Sequence, residues 1–210
     1  MEGEHPAHVE IDLTGDVEGY FTELVAEAAE ERRVATNPAV ATYLAALLAD
    51  YAHPGSLTRD ALDRPLTLLL AEALDSAGSE RFERLRALGD GVLYLSGFFS
   101  EHLTTRGVEL RYVSSVGARA YDGAAAMLRR HGARDASSAP DLFGELAERF
   151  DAFVALVSGV AERIVAQSGA AGPGAVLKLY ERWLRTGSTE LAAALGQRGL
   201  VPLRAVTGLS

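Results

Sequence analysis

Val17-Glu18-Gly19-Tyr20-Phe21-Thr22-Glu23-Leu24-Val25-Ala26-Glu27-Ala28 decides the fold. Its apolar residues Val17, Tyr20, Phe21, Leu24, Val25 and Ala28 recur at steps of three and four, with acidic residues filling the other face. Only a helix puts such residues on one side, because its side chains repeat every 3.6 positions. The stretch therefore predicts an amphipathic helix with one buried stripe.

Working outward, the same rhythm returns along most of the chain. Asn37-Pro38 offers an N-cap followed by a proline at the first helical position. Val40, Tyr43, Leu44, Leu47, Leu48 and Tyr51 then form one stripe, which His53-Pro54-Gly55 ends. Leu66, Leu69, Leu70, Ala73 and Leu74 form another after Pro65. Leu110, Val113, Gly117, Ala120, Tyr121, Ala124 and Leu128 belong to a further helix. Phe143, Leu146, Phe150, Phe153, Val154, Val157, Val160, Ala161 and Ile164 keep one register after Pro140 and predict the longest helix. Val176, Tyr180, Trp183 and Leu184 precede a stop at Thr186-Gly187, and Ser188 caps a last short helix through Leu195.

These stripes predict an all-α, single-domain, antiparallel bundle of about eight helices. Their expected spans are 16–33, 38–52, 64–77, 80–103, 108–131, 140–168, 175–186 and 188–196. Asp16 is the expected cap of the first. Residues 1–15, where Val9, Ile11 and Leu13 alternate with polar residues, are expected to form an extended or flexible arm before a bundle domain over 16–210. Ala133 to Ala139 reads as a polar connection between helices.

The composition narrows the chemistry. There is no cysteine, so disulfides, thiolate metal sites and thiol nucleophiles are excluded. The net charge of −9 disfavours nucleic acid and anionic membranes as partners. Lys178 is the only lysine against many arginines, a skew that fits a GC-rich genome. The apolar run Val92 to Phe99 is far shorter than the roughly 20 residues a bilayer demands. Met1-Glu2-Gly3-Glu4-His5-Pro6 lacks a basic start and an apolar run, so a soluble, cytoplasmic protein is expected.

Motifs for specific chemistry are scarce. The Glu-x-x-His spacing of di-iron bundles occurs at Glu2 to His5, ahead of Pro6 rather than on a helix. His5, His8, His53, His102 and His131 fall at helix ends or in the arm, so neither a metal nor any other cofactor is predicted. No Gly-x-Ser-x-Gly elbow is present, and Ser96-Gly97 and Ser158-Gly159 read as small residues that let helices approach. Gly169 to Gly174 lacks the Lys-Ser/Thr ending of a phosphate loop and reads as a turn. Leu191-Ala192-Ala193-Ala194-Leu195-Gly196 resembles the first helix and turn of a helix-turn-helix, but Gly199 and Pro202 interrupt the place of a recognition helix.

The most unusual stretch is Leu88 to His102, where Gly89, Gly91 and Gly97 sit inside a helical pattern. Each glycine costs about 1 kcal/mol against alanine there, so close helix contact, a kink or room for a ligand is expected. If the helices 80–103 and 108–131 pair antiparallel, Gly97 and Gly117 are expected to bring their backbones together. Asp90, Tyr94, Tyr112 and Tyr121 would then point polar tips into one interhelical space, with Glu101, His102 and Arg111 nearby. Either a buried polar network or a small-molecule pocket follows. The leading functional expectation is a non-catalytic binding or protein-interaction module, with a homodimer through one helix face as a further expectation. A small-molecule or cofactor-binding bundle, enzymatic or not, is the first alternative, and a DNA-binding regulator through 188–206 the second.

Overall fold

The computed structural model describes residues 13–52, 64–105, 107–131, 141–167, 173–198 and 200. Among them the chain is all-α, with ten helices and no strand. In order they are α1 (Leu13–Glu31), α2 (Pro38–Ala52), α3 (Leu66–Asp75), α4 (Gly78–Phe98), α5 (Ser100–Thr105), α6 (Leu110–His131), α7 (Leu142–Glu148), α8 (Phe150–Gln167), α9 (Pro173–Thr186) and α10 (Thr189–Gln197).

Two expected helices are each divided by a single residue. The span 80–103 breaks at Phe99 (φ −124°, ψ 24°), and the span 140–168 at Arg149 (φ −112°, ψ 27°). Both breaks preserve the i to i−4 bonds on either side. Phe99 N–H donates to Leu95 and Leu103 to Phe99, while Arg149 donates to Glu145 and Phe153 to Arg149. The axis bends while the spacing of apolar positions continues, so periodicity runs through a bend undetected. The bend at Arg149 lets Phe143 on one side and Phe150 on the other both pack against the ring of Tyr121.

The ends follow local chemistry. Asn37 accepts a bond from the Val40 N–H at 2.9 Å, and Pro38 opens α2 as the cap pattern predicts. Asp141 caps α7 through the Gly144 N–H, and Ser188 caps α10 through the Leu191 N–H. Gly187, at φ 67°, closes α9. The first helix departs from expectation. It begins at Leu13, so residues 13–15 form its first turn rather than part of an arm, and Asp16 lies inside the helix instead of capping it. Residues 1–12 of the expected arm, the stop at 53–55 and the connection 133–139 lie outside the described residues, as do 169–172 of the expected turn. At its other end α1 finishes in a left-handed residue, Arg33 (φ 53°), with the Val34 N–H returning to the Ala29 carbonyl. This six-to-one closure holds Arg32 at the mouth of the bundle.

The main core is built around α4. Leu85, Val92 and Leu93 of α4 are buried with Val40 and Leu44 of α2, Val113, Ala120 and Ala124 of α6, and Phe153, Leu156 and Val157 of α8. The pairs Leu85 with Gly123, Gly89 with Tyr121, and Val92 with Gly117 run in opposite directions along α4 and α6, so these helices are antiparallel as expected. A second, smaller cluster joins Leu179 and Trp183 of α9 to Leu191, Ala194 and Leu195 of α10 and seats them on Val165 and Ala166 of α8. Arg163 of α8 pairs with Glu27 and Glu31 of α1 at 2.9 and 3.1 Å and with Glu190 of α10 at 3.2 Å, tying that hairpin to the bundle.

Two kinds of helical glycine are distinguishable. Gly19 in α1 is exposed and a side chain there would meet nothing within 4 Å. Replacement by alanine is therefore expected to stabilise the fold by about 0.5–1 kcal/mol, through reduced backbone freedom alone. A rise in the urea midpoint at unchanged slope is the measurement that checks it. Gly97, in contrast, is closed by a neighbouring helix.

Candidate functional site

The residues expected to share one space are dispersed. Asp90 and Tyr121 do meet. Asp90 Oδ1 accepts from the Tyr121 hydroxyl of α6 at 2.7 Å and from the Tyr43 hydroxyl of α2 at 2.6 Å. Arg86, one turn earlier on α4, donates to Asp90 Oδ2 at 3.2 Å. Asp90 is only 6% exposed and Tyr121 fully buried. Burial lifts the Asp90 carboxyl above the usual aspartate range, against the pull of both tyrosines and Arg86. Burial, with the Asp90 charge added, also holds the Tyr43 and Tyr121 hydroxyls far above their ordinary value, so both remain donors. A buried carboxylate that accepts from three donors on its own and two neighbouring helices is a clasp between three helices.

The other residues go elsewhere. Tyr94 stacks on Phe98 at 4.8 Å and packs against Tyr51 at 4.5 Å. It lines an apolar hollow with Phe21, Leu48 and Ile164 instead of joining Asp90. Tyr112 is 42% exposed at the start of α6. Gly97 faces α8 rather than Gly117. Its missing side chain is replaced by Val157, whose Cβ would stand 2.7 Å from an added carbon, while Gly117 receives the Phe150 ring and Val92. Glu101 and His102 lie in α5, and their side chains are outside the described set. The single space expected between 80–103 and 108–131 is therefore not formed by these residues. The physical reason is that α8 packs across the pair, its Val157 filling the face of Gly97 and its Phe150 that of Gly117.

A polar groove does lie where the end of α4 and the start of α6 meet α8. It encloses about 540 Å³. Ser96 and Ser100 line it from α4 and α5, Arg111 and Ser114 from α6, and Asp151 and Ser158 from α8. Arg32 and Glu162 close its inner end through an ion pair of 2.6 Å. Glu162 is 1% exposed, so Arg32 is required to hold its charge there. Gly159 makes room for this arrangement, because a side chain on it would meet the Arg32 Nε at 3.3 Å.

Two atoms at this groove have no hydrogen-bond partner. The Ser96 hydroxyl, on a residue only 2% exposed, is buried and unpaired. The Nε–H of Arg32 is also buried and unpaired, its partner Glu162 being taken by the terminal nitrogen. Buried polar groups are nearly always satisfied, since leaving one unpaired costs about 1–3 kcal/mol. Two such atoms on one groove mark a place where the fold accepts a cost.

No protein-family model, curated protein or solved structure matches the chain. Among the described residues no three His, Asp or Glu side chains converge to hold a metal ion.

Of the sequence-derived candidates whose side chains are described, Arg111 alone lines the groove. Ser96, Ser158, Arg32, Asp151 and Glu162 were missed. A signal existed in the repeated Ser-Gly pair, Ser96-Gly97 and Ser158-Gly159. The glycines do pack helices, as expected, and the serines beside them are among the residues that line the groove.

Proposed function

We propose that the chain is a binding protein without a catalytic centre of its own, and that it seats a small polar molecule in the groove between α4, α6 and α8. The single observation that carries this reading is a groove of ligand size lined by four serines and by unpaired opposite charges, one of the serines, Ser96, having a buried hydroxyl without a partner among the described residues. Sites of about 300–1,000 Å³ with a few placed polar groups suit small molecules, and the groove falls in that range. The absence of cysteine, and of any membrane-length helix among the described residues, agrees with work in a reducing aqueous compartment.

The test is Ser96→Ala. Removing an unsatisfied buried hydroxyl is expected to stabilise the free protein by about 1 kcal/mol, helped by the better helix propensity of alanine. The same substitution is expected to weaken binding, the usual trade between stability and function. Chemical denaturation of the free protein reads the first effect. A thermal-shift screen of polar metabolites, run beside Ser158→Trp to fill the groove, reads the second. Loss of stability in Ser96→Ala would mean that the hydroxyl is satisfied within the fold, and the reading would fail.

A second reading, association with another protein or a second copy, is favoured by Phe99 (45% exposed), Leu110 (37%) and Tyr112 (42%) at the α4–α6 turn. A concentration-dependent change in mass that Tyr112→Ser removes would support it. The DNA-binding alternative is weakened by α10. Leu191 and Leu195, which would begin the motif, are buried against α9, and residues 201–210 lie outside the described set.

A further inference from the structure

Resting on the groove as a ligand site, we infer that its ligand is a small zwitterion bearing a carboxylate and an ammonium group, of the α-amino acid class. Four features of the lining lead to this class.

The first is the charge pattern. Arg32 and Glu162 neutralise each other at the inner end. The remaining charges are Arg111 on the α6 wall and Asp151 on the α8 wall. Neither forms an ion pair with any described residue, nor do they pair with each other, although both line the same groove and the adjoining hollow of about 470 Å³. Opposite charges that face one space without cancelling suit a ligand carrying the complementary pair. Arg111 offers a planar fork for a carboxylate, and Asp151 accepts from an ammonium.

The second feature is neutrality. Among the described residues of the wall, two arginines and two carboxylates sum to zero. A phosphate dianion would meet Asp151 and Glu162 as like charges, a cost that only a cationic pocket offsets. The third is the absence of aromatic rings among the described residues of the groove lining. Nucleobases take much of their affinity from stacking on such rings, which the groove does not supply. The fourth is the density of hydroxyls. Ser96, Ser100, Ser114 and Ser158 can each donate or accept, and neither the Ser96 hydroxyl nor the Arg32 Nε–H has a partner among the described residues. Leu110, Val154 and Ala155 add a short apolar wall, which suits a small ligand side chain.

The experiment is titration calorimetry and thermal shift on the full chain. The probes are the common L-amino acids, acetate, ethylamine, inorganic phosphate, glucose and myo-inositol. At least one amino acid is expected to bind, with acetate and ethylamine each failing at the same concentration. Arg111→Ala and Asp151→Asn are each expected to weaken that binding by about tenfold or more, since a hydrogen bond to a charged group is worth roughly 1.5–3 kcal/mol. Both residues are exposed, so both variants are expected to fold, and unchanged urea midpoints check this. Silence from every amino acid overturns the inference, as does binding that neither variant weakens. If phosphate or a polyol binds instead and Ser158→Trp blocks it, the zwitterion is wrong while the groove stands as a site. If no probe binds and Ser96→Ala also lowers stability, both the ligand class and the site fall.

Discussion

Replacing Asp90 by alanine is expected to cost about 3–4 kcal/mol of folding free energy, because two buried hydroxyls and a guanidinium lose their shared acceptor at once. Tyr121 has no route to water and Tyr43 little, so neither hydroxyl finds a substitute partner. Asp90→Asn separates charge from hydrogen bonding. Its carbonyl oxygen still accepts from both tyrosines, while its amide faces Arg86 donor to donor, so a loss nearer 1–2 kcal/mol is expected. The pair also tests the titration. Burial raises the folded-state value of Asp90 above the unfolded one. The folded chain therefore binds this proton more tightly, and the stability it contributes is fully present below the ordinary aspartate value of about 3.9. That contribution declines as pH rises through the folded value. Urea midpoints of the native chain minus those of Asp90→Asn should fall from pH 4 upward. A difference that grows with pH would show that Arg86 and the tyrosines outweigh burial.

Replacing Gly97 by leucine is expected to cost about 3 kcal/mol, at the upper end for overfilling a packed interior. The obstacle is the neighbouring helix itself. An added Cβ would stand 2.7 Å from the Val157 Cβ and 3.3 Å from the Ser158 backbone nitrogen, and main chain cannot rotate out of the way. Gly97→Ala gains about 1 kcal/mol of helix propensity but still meets Val157, so a net loss of about 1–2 kcal/mol is expected. Denaturation of both variants beside Gly19→Ala decides the matter. If all three alanine and leucine changes behave alike, helix contact is not what Gly97 serves.

The sequence was most informative where a single helix sufficed to explain a pattern. The stripes of α2 and α6 locate their helices to within two residues, and that of α1 to within three, because burying one face is a local demand that repeats along the chain. Caps at Asn37 and Ser188 were legible for the same reason: each satisfies a backbone group three residues away. The bends at Phe99 and Arg149 were not, since both preserve the repeat. The candidate site was harder still. Asp90 and Tyr121 were correctly associated, yet Tyr43, which completes the clasp from 47 residues away, carried no mark to distinguish it from other residues on its stripe. The groove residues Arg32, Ser96, Asp151 and Glu162 come from α4, α8 and the end of α1. Their meeting depends on how α8 lies across the α4–α6 pair, a packing fact that no local spacing encodes. Tyr94 and Tyr112 were misplaced for the converse reason, because one-dimensional proximity to Asp90 and Tyr121 says little about the direction of a side chain on a crowded helix.

The glycine contacts bear on how this fold can drift. Gly89 lies under the Tyr121 ring, Gly97 against Val157 and Gly117 under the Phe150 ring. In each pair one partner's bulk occupies the space the other vacates, so the two positions are free to vary only in concert. Paired substitutions there should be strongly non-additive, with a smaller partner rescuing a side chain that alone is harmful. Divergent copies of the chain should accordingly change 89 with 121, 97 with 157 and 117 with 150, leaving a correlated imprint of the three-dimensional packing in the aligned letters.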